Sequence, residues 1–327
     1  MSSELSYWLR EWRSHTATSA REQGHDMDDD TTDEGQFAEL AENLDRVRLA
    51  AAAAVGTTFA SHPLTGYGGR SAVYLAEQAV LKVYTHRCQE RCHREAAGLR
   101  AAAHATDLRV PEVLAHDERA GRLSWLAATR VSGTQPSQHE PSTTAILGQV
   151  AARLHSLPDE LLAEMPEHHR RLRELPEGTS PTHQAARGLD AALAEAAAES
   201  EQHCVRGFVH GDCSSRNILL ADDQAPGVID VEGSGIGCCY DDLAALVLHE
   251  SLLGTHDRRV LLAAYDAERR RWNSTTDPVS GDHLAYHLAL RAQWILQWAI
   301  ELDPELAEQV TALAPRLLAS LHGGEVL

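Results

Sequence analysis

The chain has 327 residues and a formal net charge of −19, with 43% of its residues hydrophobic and 24% charged. That length suits about two domains or lobes around a substantial core, and no apolar run reaches the ~18 to 20 residues of a membrane span. The acidic balance argues against nucleic acid or an anionic membrane surface as main partner, because phosphates attract Lys and Arg; it suits a cationic small molecule.

Residues 1–35 are polar, with an acidic run from Asp26 to Asp30. A calcium loop starting at Asp26 would need Gly and Glu where Thr31 and Phe37 stand, so the run reads as a solvated linker. Met1 to His15 lacks the apolar core of a signal peptide, which predicts a cytoplasmic protein. From Phe37 to Val55 the spacing of Phe37, Leu40, Leu44 and Val47 predicts a helix closed by Gly56. Gly66, Gly68 and Gly69 then break the chain, and Ala72–Leu75 and Ala79–Tyr84 read as strands. Gln89 to Ala103 returns to helix, and a second strand pair is expected around Val110–Ala115 and Leu123–Val131. After a connector at Arg130–Gly133 the pattern is mainly helical, clearest at Thr144–His155 and Ala185–Glu199. The expected organisation is a polar extension (1–35), a strand-rich lobe (36–131) and a larger helical lobe (132–327).

Six cysteines without an export signal predict reduced thiols rather than a disulfide framework. Cys88 and Cys92 with His86 and His93 offer zinc-ligand chemistry, but the usual C-x2-C spacing is missing, and two cysteines four apart also fit one apolar helix face. Among 29 basic residues, Lys82 is the single lysine. It stands inside the apolar run Ala79–Tyr84, where a generic surface cation has no place. A compact ammonium fits a narrow phosphate site that a planar guanidinium does not.

The segment Phe208-Val209-His210-Gly211-Asp212-Cys213-Ser214-Ser215-Arg216-Asn217 carries the spacing H-x-D-x4-N of a kinase catalytic loop. Ile218–Ala221 and Gly227–Asp230 flank a polar turn and predict an antiparallel hairpin. That hairpin would bring Asn217 and Asp230 side by side, with oxygens facing one point, as Mg²⁺ requires. The competing reading makes Asp212 and Asn217 plain turn residues.

These residues resemble the aminoglycoside phosphotransferase family, small-molecule kinases that share their fold with eukaryotic protein kinases. The resemblance spans roughly Gly66 to Leu246 and rests on HGD-x4-N, the Ile229-Asp230 strand ending and Asp241-Asp242-Leu243-Ala244. Cys213 and Ser214 stand where the family typically has Leu and often His, which leaves the subfamily open. The resemblance implies an α+β, protein-kinase-like two-lobed fold using ATP, or GTP, with Mg²⁺. Asp212 would be the catalytic carboxylate, and Asn217 and Asp230 the metal ligands. Lys82 would hold the α- and β-phosphates, paired with a helix carboxylate. Glu95 falls on one stripe with Cys88, Cys92, Leu99 and Ala103, so it is the expected partner, with Glu90 the runner-up. Gly68 and Gly69, with Ser71 as an extra donor, would approach the phosphates. Backbone at Thr129–Val131 would meet the base. His210 would brace the loop; Asp242, or alternatively Asp241, would fix it by hydrogen bonds, with Asp242 also capping a helix from Leu243 to Ser251.

Asp230 lies only twelve residues before Asp242, too few for a protein-kinase activation loop, so the acceptor is expected to be a small molecule. Glu232, Trp294, Trp298 and Glu301 offer carboxylates and aromatic faces for an amine-bearing acceptor, against the reading of the tryptophans as core. The favoured acceptor is an aminoglycoside or other basic antibiotic. A metabolic kinase of a sugar, amino alcohol or amino acid is the alternative, and a nucleotide-binding pseudokinase regulator the third. No obligate protein partner is expected.

Overall fold

The computed structural model describes residues 34–64, 71–85, 88–117, 123–136, 141–168, 178–202, 204–222, 224–253, 258–272 and 278–321. The chain divides into two compact units, Met1–Ala103 with Val110–Ser132, and His104–Arg109 with Gly133–Leu327.

The first unit starts with helix α1 (Glu34–Val55). Strands β1 (Ser71–Leu75) and β2 (Ala79–Thr85), helix α2 (Gln89–Ala102), and strands β3 (Val113–Asp117) and β4 (Leu123–Thr129) follow. The strands form one antiparallel sheet in the order β1-β2-β4-β3. Alternation along β2 assigns its two faces. Leu81 and Val83 join Ala72, Tyr74, Trp125 and Ala127 in a core closed by Leu44, Val47 and Ala51 of α1. Lys82 and Tyr84 therefore project from the opposite face. The third strand begins at Val113 rather than Val110 and ends at Asp117, and its pairing with β4 carries a register shift between Val113 and Ala115.

The second unit contains α3 (Pro141–Leu154), α4 (Asp159–Leu162), α5 (Pro181–Gln202), β5 (Arg206–Val209), a 3₁₀ turn (Ser215–Asn217), β6 (Ile218–Leu219), β7 (Gly227–Val228) and β8 (Gly235–Cys238). Helices α6 (Tyr240–Leu253), α7 (Arg258–Trp272), α8 (Gly281–Leu302) and α9 (Pro304–Leu321) complete it. Gly148 lets α3 lie close to α7; a Cβ there would meet the Leu261 carbonyl oxygen at 2.3 Å. The pairing of β5 with β8 has no counterpart in the sequence reading, since four-residue strands containing three of the chain's glycines give too weak a pattern.

The predicted hairpin exists but is shorter, with only Ile218↔Val228 and Leu219↔Gly227 in register. Ile229 N–H donates to the Asn217 carbonyl at 3.0 Å, so Ile229, not Asp230, stands opposite Asn217. The predicted side-by-side pairing is off by one position. Asp230 follows with φ +63°, a left-handed conformation that Asp tolerates better than most residues and that turns its side chain out of the strand's alternation. No helix among the described residues is long and apolar enough to cross a membrane.

Candidate active site

In the first unit, Lys82 and Tyr84 share a face of β2 because they are two residues apart. Lys82 Nζ lies 2.7 Å from Glu95 Oε1, and the Tyr84 hydroxyl donates to Glu95 Oε2. Glu95 is 3% exposed, so its charge is balanced inside the fold by these two donors. Cys88, Cys92 and Leu99 are buried with it, whereas Ala103, at the end of the predicted stripe, is exposed at the helix terminus. Glu90 is 78% exposed at its side chain and pairs with Arg94 instead, which removes it as partner of Lys82.

Ser71 opens β1 opposite Tyr84 and is buried. The Thr129 hydroxyl accepts from Glu112 N–H at 2.8 Å, and Val131 is half-buried just beyond β4. Gly66, Gly68 and Gly69 lie outside the described residues, as does His86 of the proposed Cys88/Cys92 zinc set.

In the second unit, β5 delivers the chain into His210-Gly211-Asp212. Gly211 has φ +82°, and a Cβ on it would sit 2.3 Å from the Gly233 carbonyl oxygen, so the turn requires glycine. Asp242 holds this turn: its Oδ2 accepts from His210 N–H at 2.6 Å and its Oδ1 from Gly211 N–H at 2.9 Å. Helix α6 begins at Tyr240, so Asp242 lies inside the first turn and does not cap the helix; its oxygens are committed to the loop. Asp241 bonds His287 instead, with Oδ1 2.7 Å from Nδ1. His210 braces the turn from the other side, with Nε2 3.0 Å from the Ile229 carbonyl and Nδ1 accepting from Asp212 N–H at 3.3 Å.

Asn217 reaches back with its Nδ2, donating to the Asp212 carbonyl at 2.8 Å and to Asp212 Oδ2 at 3.3 Å. Arg291, from α8, donates to Asp212 Oδ1 at 3.0 Å, and its guanidinium lies 4.8 Å from the Trp294 ring centre. The Asp212 side chain remains 48% exposed, open to an incoming group. Trp294 thus packs on the cation that meets Asp212. Glu232 is half-buried beyond β7, and the side chains of Trp298 and Glu301 lie outside the described residues.

Behind the loop is a pair that sequence reasoning missed. His155 Nε2 lies 3.1 Å from Asp242 Oδ2, its Nδ1 lies 2.9 Å from the Tyr265 hydroxyl, and both His155 and Asp242 are fully buried. Burial disfavours the charged His155, but Cys239, Tyr265 and the hydrogen-bonded Asp242 outweigh it and hold its pKa well above 6.5. For Asp242, burial pushes upward, yet the His155 bond and charge, with help from His210, keep the carboxyl below its usual 3.8. Burial likewise pushes the Cys213 thiol well above 9.0, an inert small side chain at the variable loop position. No local pattern marks His155. Arg291 left a readable trace, since it stands three residues before Trp294, a cation set in an apolar stripe.

The model of the APH phosphotransferase enzyme family matches residues 64–280, two thirds of the chain. The chain belongs to that family. Its activity class is accordingly that of a small-molecule kinase. Solved structures with the same kinase-like fold include the microcompartment-associated aminopropanol kinase (18% identity, 84% of this chain and 95% of that one, TM-score 0.55). Choline kinase LicA from Streptococcus pneumoniae is similar at 14% identity (86% and 99%, TM-score 0.55). Aminoglycoside phosphotransferase APH(3'')-Id from Streptomyces rimosus is similar at 20% identity (78% and 98%, TM-score 0.53). No curated protein sequence matches the chain. The phosphotransferase therefore shares its fold with antibiotic-modifying and metabolic kinases alike.

Proposed function

We propose that this phosphotransferase moves the γ-phosphoryl group of ATP to a hydroxyl of a small molecule in the cytoplasm, with Asp212 as the catalytic carboxylate. The supporting observation is the state of Asp212: its two oxygens are oriented by Asn217 and Arg291, while nearly half its side chain stays open. A carboxylate fixed in this way can accept the acceptor's hydroxyl hydrogen bond and align the oxygen for attack, the positioning on which phosphoryl transfer depends.

Asn217 and Asp230 fit Mg²⁺. The Asn217 Nδ2 is committed to Asp212, which leaves its Oδ1 as the donor atom, and Asp230 adds a carboxylate. Both are hard oxygen ligands suited to this cation. Bound there, the ion would supply charge neutralisation for the nucleotide phosphates. Lys82, oriented by Glu95, would neutralise the α- and β-phosphates, and Thr129 and Val131 would offer backbone groups to the base. His210 and Asp242 act on the loop rather than on substrate.

The favoured acceptor is a basic antibiotic such as an aminoglycoside, drawn by the net charge of −19. One observation favours the uncharged or anionic members of the second reading, a metabolic kinase of a sugar, amino alcohol or amino acid. Arg291 places a cation directly on the catalytic carboxylate, where an ammonium beside the reacting hydroxyl would meet like charge. Labelled ATP and Mg²⁺ offered with basic antibiotics on one side and neutral or anionic hydroxy-metabolites on the other separate the two. Label transfer to neither class contradicts both.

A further inference from the structure

A second cluster of reactive side chains lies in the helical unit, away from Asp212 in sequence and unused by the mechanism. Cys238 closes β8, and His283 and His287 sit four apart on α8, one above the other on a single helix face. One ligand atom from each of the three comes within 4.8 Å of the others, and Cys238 Sγ lies 3.6 Å from His283 Nε2. In a tetrahedral zinc site, Zn–S of about 2.3 Å and Zn–N of about 2.0–2.1 Å put sulfur and nitrogen roughly 3.6 Å apart. A thiol–imidazole hydrogen bond alone would explain one contact but not the approach of the second imidazole.

The surroundings are built as metal sites are. Asp241 Oδ1 receives His287 Nδ1–H at 2.7 Å, which fixes that ring's tautomer and leaves Nε2 for a metal, the carboxylate–histidine pattern found behind zinc ligands. Asp241 Oδ2 lies 3.3 Å from His168 Nε2. The Tyr240 ring packs edge-on to His283 at 4.4 Å between ring centres and fixes its orientation. His283 and His287 are 3% and 6% exposed. Cys238 is a free thiol.

We propose that Cys238, His283 and His287, with water in the fourth position, form a Zn²⁺ site that clamps α8 to the end of β8. Sulfur with imidazole nitrogen is a donor set for zinc and not for the Mg²⁺ of phosphoryl transfer. The clamp has a consequence for the reaction site, since Arg291, the cation on Asp212, lies one helical turn beyond His287 on the same helix. The site is a structural one: it touches no reacting atom.

The test uses the full chain without a polyhistidine tag. Purified in metal-free buffer, it should carry about one zinc per chain by mass spectrometry of the metal content. After zinc removal it should take up about one Co²⁺ with the intense visible bands and thiolate charge-transfer absorption of a tetrahedral sulfur-ligated ion. Cys238→Ser and His287→Gln should each lose the zinc and the charge-transfer band or tetrahedral spectrum, and chelation should lower the Tm of the wild type but not of either variant. The cobalt titration stands even if a variant fails to fold. A chain that holds no zinc and binds cobalt only with a pale octahedral spectrum overturns the proposal.

Discussion

Arg291 and Asp212 are joined through Nη2 and Oδ1 at 3.0 Å, the arginine 11% and the aspartate 48% exposed at their side chains. The exposure difference sets their roles. Arg291 is anchored, over Trp294 on one side, and the carboxylate it orients is the part left open, as the proposed role of Asp212 requires. Arg291→Ala should lower kcat by roughly 10- to 100-fold while nucleotide affinity stays near wild type. If the acceptor carries an anionic group, KM for it should rise as well. Steady-state kinetics on both substrates check this, and unchanged kcat would make the contact incidental.

Lys82→Arg keeps the charge and changes its shape. A planar guanidinium on β2 cannot reproduce the point contact with Glu95 Oε1, and Tyr84 already occupies Oε2. Activity should fall by roughly 100-fold or more, chiefly through weaker ATP binding. Calorimetry with ATP analogues measures this, and full activity in the variant would show that the chain's single lysine has no special task.

His155 and Asp242 form a buried pair with opposite pKa displacements, so the sign of the pH effect can be worked out. His155, raised above 6.5, contributes stability that is complete below 6.5 and is lost as pH climbs through its folded value. Asp242, lowered below 3.8, contributes stability present above 3.8 and lost as pH falls through its folded value. The pair is at full strength between these limits. His155→Gln should destabilise the protein by about 3–5 kcal/mol in that window and by less toward either side. Urea unfolding of both proteins across pH reads the difference, and a pH-independent gap would deny the ion pair.

Gly211→Ala tests the turn. Its φ of +82° and the 2.3 Å approach of the Gly233 carbonyl leave no room for a methyl group. A loss of at least about 2 kcal/mol is expected, with turnover reduced more than nucleotide binding. A variant of unchanged Tm would mean that the loop relaxes freely.

Much of this was legible in the sequence, for identifiable reasons. The strands Ala79–Thr85 and Leu123–Thr129 and the helix Gln89–Ala102 carried clean periodicity, and Glu95 fell on the buried stripe of that helix. The Lys82–Glu95 contact followed from burial of a carboxylate that needed a cation. The catalytic-loop spacing was local, within eight residues, and so survived as a motif. What escaped was non-local or off-pattern. The hairpin register slipped by one because its strands are two residues long and give no alternation to count. Asp242 fixes the loop by hydrogen bonds as expected, but the added helix-cap reading fails because the helix begins two residues earlier, at Tyr240, and both carboxylate oxygens are committed to His210 and Gly211. Arg291, His155 and the Cys238–His283–His287 cluster join segments 40 to 90 residues apart, and no spacing rule connects them.

The most direct measurement is phosphoryl transfer from labelled ATP to the responding acceptor by wild type and Asp212→Asn, with ATP affinity determined for both. The account predicts that turnover falls ~10²- to 10⁴-fold while the nucleotide Kd barely changes. Equal turnover by the two proteins would contradict it.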